Sequence, residues 1–252
     1  MFDAQVESVN IVGYNTVTLD KQWTIIAANF EAVGGGAIAI QDAFPYSDGM
    51  TKGNNNLVAD VLQIQNATGG YDIYYMSNGK NAKGATIAGL EGKWAAMATF
   101  TPTTATIAPG TALWYGARNF APAFQITVAG QALATATADM PVSLAVKHIA
   151  NPYPTDLPLN NGIPYTDGMT KGNNNLVADN IQIQNATGGY DIYYMSNGKN
   201  AKGAIIEGLD GKWAAMATFT PTTAAIPVGA GAWYLRRGST DFTVQVVRPY
   251  AL

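Results

Sequence analysis

The chain has 252 residues, a formal net charge of -3 and 12% charged residues, about half the share usual in soluble domains. No basic tract is present to neutralise phosphates, which excludes nucleic acid as a partner, and without cysteine there is no disulfide, thiolate nucleophile or thiolate metal site. No apolar run approaches the roughly 18 residues a spanning helix needs, so no transmembrane segment is expected. The opening Met1-Phe-Asp-Ala-Gln-Val-Glu7 has neither the basic residues nor the apolar stretch of a leader. That leaves a cytoplasmic protein or a mature secreted chain, and the charge-poor, Gly/Asn/Thr-rich composition favours the second.

Residues 5–19 alternate apolar and polar side chains rich in β-branching, which predicts two short strands broken at Gly13-Tyr14. Gln22 to Phe30 reads as a buried strand with Val142 to Ile149 as its later counterpart, which sets His148 against Asn29. Gly34-Gly-Gly36 ends the first of these, and Pro152 and Pro154 end the second. From Leu57 a single helical turn leads into a strand reaching Asn66, and Gly69-Gly70 makes a hairpin turn. Beyond it Tyr71, Ile73 and Tyr75 face one way, and Asp72, Tyr74 and Met76 the other. Asn78-Gly79 is a second turn and 84–92 a loop. Strands follow at Trp94 to Phe100, Ala105 to Ile107, Ala112 to Arg118 and Phe124 to Ala129.

The stretch Tyr46 to Thr104 then repeats at an offset of 119, differing only at positions 47, 61, 62, 86, 88 and 91. An internal repeat of that length makes each copy a unit able to bury its own core. Short strands punctuated by Gly, Pro and Asn every ten residues or so indicate an all-β fold. The expectation is two tandem β-sandwich, jelly-roll-like domains, 1–130 and 131–252. Ser8 to Gly13, Gln125 to Gly130 and Phe242 to Val247 resemble one another, so the middle strand is a candidate for both closing the first unit and opening the second. Val9, Ile11, Ile126, Val128, Val244 and Val246 on these strands are the candidate assembly residues.

The single histidine, His148, does not recur between the copies, and a catalytic group would. No Gly-x-Ser-x-Gly, His-Glu-x-x-His or phosphate loop is present. Asp48/Asp167, Asp60/Asp179, Asp72/Asp191 and Glu91/Asp210 recur as carboxylates. A glycosidase pair would not tolerate the methylene shift from Glu91 to Asp210. Asp48, Asp60, Asp167 and Asp179 are weak calcium candidates in an Asn/Gly-rich loop that also carries a lysine. No cofactor is expected. Asn66-Ala-Thr68 and Asn185-Ala-Thr187 have the form of glycosylation sequons. Tyr71, Tyr74, Trp94 and Trp114, with Tyr190, Tyr193, Trp213 and Trp233, form a candidate glycan face, since Tyr and Trp beside Asn and Asp are the materials of sugar binding.

Val9-Asn-Ile-Val-Gly-Tyr-Asn-Thr-Val-Thr-Leu19, the Gly-Gly-Tyr-Asp core, and Gly92-Lys-Trp94 with Pro109-Gly-Thr-Ala-Leu-Trp-Tyr115 resemble repeated β-rich domains in secreted proteins of verrucomicrobial and related bacteria. The second unit departs from the pattern where Val228-Gly229 replaces Pro109-Gly110. The resemblance implies an exported, noncatalytic surface protein and lends no functional residues. The expected function is a secreted structural protein that self-assembles into a filament or surface layer. The alternative is a bivalent carbohydrate-binding module with a polysaccharide partner.

Overall fold

A computed structural model describes residues 12–97, 99–216 and 218–251. The first repeat runs β1 (Val12–Leu19), β2 (Trp23–Ala27), β3 (Phe30–Glu31), β4 (Ile38–Ala39), the single turn α1 (Ile40–Ala43), β5 (Val61–Gln65), β6 (Tyr71–Met76), β7 (Trp94–Ala96), β8 (Thr106–Ile107), β9 (Ala112–Gly116) and β10 (Phe124–Ala132). The second runs β11 (Thr137–Val142), β12 (Val146–Ala150), β13 (Leu157–Pro158), α2 (Leu159–Gly162), β14 (Asn180–Gln184), β15 (Tyr190–Met195), β16 (Trp213–Ala215), β17 (Ala225–Ile226), β18 (Gly231–Leu235) and β19 (Phe242–Val247). The protein is an all-β sandwich built of antiparallel sheets.

Each repeat holds a five-stranded sheet of the same order, β2-β9-β5-β6-β7 in the first and β12-β18-β14-β15-β16 in the second. The inner face of the first sheet packs under β1-β10-β3. Leu62, Tyr74, Leu113 and Tyr115 from one side meet Leu19, Phe30, Ile126 and Val128 from the other. In the second repeat β11-β19 supplies Met140, Val142, Val244 and Val246 against Ile149, Ile181, Met195, Ala232 and Tyr234. Period-two alternation puts these side chains inward, and their burial supplies the main stabilisation.

Several expectations are corrected. β1 is one continuous strand through Gly13-Tyr14, because Gly13 to Leu19 stays in register with Gly130 to Phe124 and the ladder leaves no room for a break. The middle strand is not shared: β10 pairs with β1 and β3, while a separate strand, β11, pairs with β19 to open the second repeat. The expected division after Gly130 cuts β10, whose last residues Gln131 and Ala132 pair with Glu31 and Phe30. The hairpin at Gly69-Gly70 and the opposite facing of Tyr74 and Met76 from Tyr75 stand as read: Tyr74 and Met76 lie in the core and Tyr75 in the layer on the other face. The strand from Trp94 is shorter than expected, ending at Ala96.

The outer faces of the two five-stranded sheets meet. Ile25, Ala27 and Ala112 pack with Ala150, flanked by Trp114, Tyr190 and Trp233. Trp114 and Trp233 occupy equivalent positions yet touch each other, with ring centroids 5.8 Å apart. Ala112 likewise meets its own equivalent, Gly231: a Cβ there would lie 2.9 Å from Ala112 Cβ and 2.6 Å from Ile25 Cγ2, so only glycine lets the strands close. Gln65 Nε2 donates to Val146 O and Gln184 Nε2 to Trp23 O, both at 3.0 Å, so each repeat ties down the edge strand of the other in the same way. Contacts between equivalent residues define an approximate two-fold axis through the junction.

Candidate functional site

The free edge of β1 is the first candidate. Among the described residues β1 lies at the outside of its sheet and pairs with β10 alone. Its eight residues, Val-Gly-Tyr-Asn-Thr-Val-Thr-Leu, include no charge and no proline. Leu19, Asn15 and Val17 turn toward the core, while Tyr14 (75% exposed), Thr16 and Thr18 face solvent. The corresponding edge of the second repeat, β11, carries Asp139 and Pro141. Charge and proline are the usual devices that stop a sheet edge from recruiting another strand. The second repeat has them and the first does not.

The sequence-predicted assembly residues fall into two groups. Ile126, Val128, Val244 and Val246 are buried in the two cores on strands already paired with β1 and β11, so their side chains are not on offer to another chain. Val9 and Ile11 lie outside the described residues. From Val12 on, the main chain of β1 lies at the outer side of its sheet.

The eight aromatics do not form one face. Trp94 and Trp213 are 0% exposed, and each indole Nε1 donates inside the core, to Phe44 O at 2.6 Å and to Ile163 O at 2.7 Å. Tyr74 is core at 9% exposure, and Tyr193 packs against the second core. Tyr71, Trp114, Tyr190 and Trp233 gather at the junction instead. There His148 sits with its ring centroid 4.0 Å from Trp233, 5.6 Å from Tyr71 and 5.7 Å from Trp114. The structural partner of His148 is Ile25, not Asn29: Ile25 faces Trp114 and His148 faces Trp233, positions 119 apart. The shift arises because the second copy is four residues shorter between Ala150 and Leu157 than the first is between Ala27 and Ile38. Asn29 has a different role, donating from Nδ2 to Asn151 O at 2.6 Å across the junction.

His148 is 4% exposed, and neither ring nitrogen has a hydrogen-bond partner. Burial alone lowers its pKa to about 4. It is a packed ring whose two nitrogens hydrogen-bond to nothing in the fold.

The calcium candidates also separate. Asp48 and Asp167 are exposed, whereas Asp60 and Asp179 are fully buried. Asp60 Oδ2 accepts from Tyr115 OH at 2.8 Å and Oδ1 from Arg118 N at 2.7 Å. Asp179 accepts from Tyr234 OH at 2.8 Å and Arg237 N at 2.6 Å. Each therefore clamps the end of β9 or β18 to the preceding loop, with both oxygens engaged. Burial raises the Asp60 pKa despite these donors, and it also pushes the Tyr115 and Tyr234 hydroxyls upward. Glu91 and Asp210 pair with Lys52 and Lys171 at 2.8 and 3.0 Å on the surface, and Asp72 accepts from Asn66 on the hairpin turn. Among the described residues no group of three His, Asp or Glu is placed to hold a metal ion, and no helix is long and apolar enough to cross a membrane.

Among the described residues the chain is an all-β sandwich whose edge strand β1 carries neither charge nor proline. The chain matches no protein-family model, and comparison with curated proteins and with solved structures finds no match.

Proposed function

We propose that the chain is a non-enzymatic structural protein of the cell exterior that assembles with copies of itself into filaments or layers. The observation that carries this reading is the uncharged, proline-free edge of β1. An edge of that length offers main-chain donors and acceptors to an extended segment of a neighbour, and side-chain alternation then fixes the register. Low surface charge removes much of the repulsion that would keep like molecules apart. An extended segment of one copy laid on β1 of the next is a head-to-tail contact, and such contacts propagate into open polymers unless their rotation closes a ring. The exterior location is supported by the composition and by the resemblance to exported β-rich repeats.

The test is sedimentation velocity and negative-stain microscopy over a range of concentrations. The wild-type chain is expected to form polymers that grow with concentration. Thr16→Lys with Thr18→Lys is expected to leave it monomeric at the same concentration, because two like charges then face any second copy along the edge. Both positions are exposed, so the fold is unaffected beyond about 0.5 kcal/mol. A wild-type chain that stays monomeric at high concentration, with and without calcium, sinks the proposal.

A further inference from the structure

The outer face of the first five-stranded sheet carries a feature that the assembly edge does not use. Trp23 on β2 and Trp114 on β9 stand with ring centroids 6.0 Å apart and planes at 80°. With Gln63 of β5 between them they line an open cup of about 290 Å³. The cup exists because β9 ends in Gly116. A Cβ at that position would lie 2.6 Å from the six-membered ring of Trp23 and 2.7 Å from Val61 Cγ2. Gly116 pairs directly with Trp23 across the ladder, and its lack of a side chain lets the indole lie down over the sheet.

The second repeat has dismantled the same place. Val146 stands where the first has Trp23, and it pairs with Leu235 where the first has Gly116. Asn180 replaces Val61, and its Oδ1 accepts from Gln182 Nε2 at 3.1 Å. In the first repeat Val61 offers no such acceptor, so the Gln63 amide is left to the cup. Among 59 residues that otherwise nearly repeat, the exchange of Val61 for Asn180 is one of six differences, and it falls on this floor.

We infer that the cup of Trp23, Gln63 and Trp114 binds a neutral hexopyranose unit of a polysaccharide. Two indoles at right angles give one ring for the C–H face of a sugar and a second for its edge, and a carboxamide supplies both donor and acceptor to neighbouring hydroxyls. No charged side chain lines the cup, which selects neutral sugars over uronic or sulfated ones. The site is single, one per chain, and it lies on a different surface from the free edge of β1.

The experiment uses the full chain carrying Thr16→Lys and Thr18→Lys, so that success or failure of assembly does not enter. Affinity electrophoresis and tryptophan fluorescence are read against soluble neutral glucans, mannans and galactans, with a polyuronate as the charged comparison. Binding to at least one neutral polymer is expected, with saturable quenching. Trp23→Val, which installs the residue the second repeat already tolerates, is expected to weaken it about tenfold or more, and Gln63→Leu also to weaken it, while Val146→Ala leaves it unchanged. Should Trp23→Val lose its cooperative thermal transition, Gln63→Leu decides alone, since it changes no backbone contact. Silence toward every neutral polymer, preference for the polyuronate, or full retention by both variants overturns the assignment.

Discussion

Replacing Asp60 with alanine is expected to lower the unfolding free energy by about 3 kcal/mol, because it strands the Tyr115 hydroxyl and the Arg118 amide together in the interior. Asp179→Ala is expected to do the same through Tyr234 and Arg237. Asp60→Asn should cost less, since the amide keeps the volume and one acceptor oxygen. Asp48→Ala, at an exposed position, should change stability by no more than about 0.5 kcal/mol. Urea denaturation measures all four. The same series separates a structural clamp from a calcium ligand: if Asp60 and Asp48 shared an ion, calcium would raise the midpoint of the wild-type chain and both alanine variants would abolish that rise. The clamp predicts no calcium response at all.

The second large effect is a loss of stability on acidification that belongs to His148. Its pKa in the fold is about 4, against 6.5 for an unhindered imidazole. A base whose folded pKa is depressed stabilises the fold fully above its unfolded value, and that contribution disappears as pH falls from 6.5 toward 4. The unfolded chain takes up a proton that the folded chain refuses. The loss amounts to about 2 kcal/mol by pH 5 and about 3 kcal/mol by pH 4. Around the ring stand Tyr71, Trp114 and Trp233, while Asp139 and Lys147 line the crevice beside it. His148→Ile reproduces what the first repeat carries at Ile25. The difference in stability between wild type and this variant should therefore grow in favour of the variant as pH drops, which cancels the titration of carboxylates common to both. A difference independent of pH would show that the imidazole is not desolvated.

The sequence made much of this architecture legible, for physical reasons that differ from element to element. Tyr71 to Met76 read correctly because strict alternation after a Gly-Gly turn has one solution. Trp94 was placed on a sugar face because an indole beside polar residues looks the same whether its N–H meets water or a main-chain carbonyl such as Phe44 O. The pairing of His148 with Ile25 was hidden by a four-residue difference in length that a constant offset cannot carry. The junction was missed altogether: its outward-facing Ile25, Ala112 and Trp114 read as ordinary strand residues, and only the packing of one sheet against its equivalent reveals them as interior. Trp23 and Gly116 lie outside the identical stretch, so a search among repeated aromatics passes over the cup they build. Val12 to Leu19 contain neither proline nor charge, and that absence has structural meaning because β1 is an edge strand.

Trp114 against Trp233, and Ala112 against Gly231, are the contacts a homodimer makes with itself at its dyad. Here both halves are in one polypeptide, so their meeting is intramolecular and does not depend on dilution. The covalent link also changes what substitution can do. In a true homodimer a histidine at the dyad arrives twice, placing two buried imidazoles in one junction with twice the penalty on acidification. In the fused chain it arrives once, opposite an isoleucine. The same licence lets Gly116 and Trp23 keep an opening on one side while Leu235 and Val146 fill the other. It equally allows β1 to stay bare while Pro141 and Asp139 seal β11. A symmetric dimer would present both edges alike, whereas here only the first repeat's edge lacks charge and proline among the described residues.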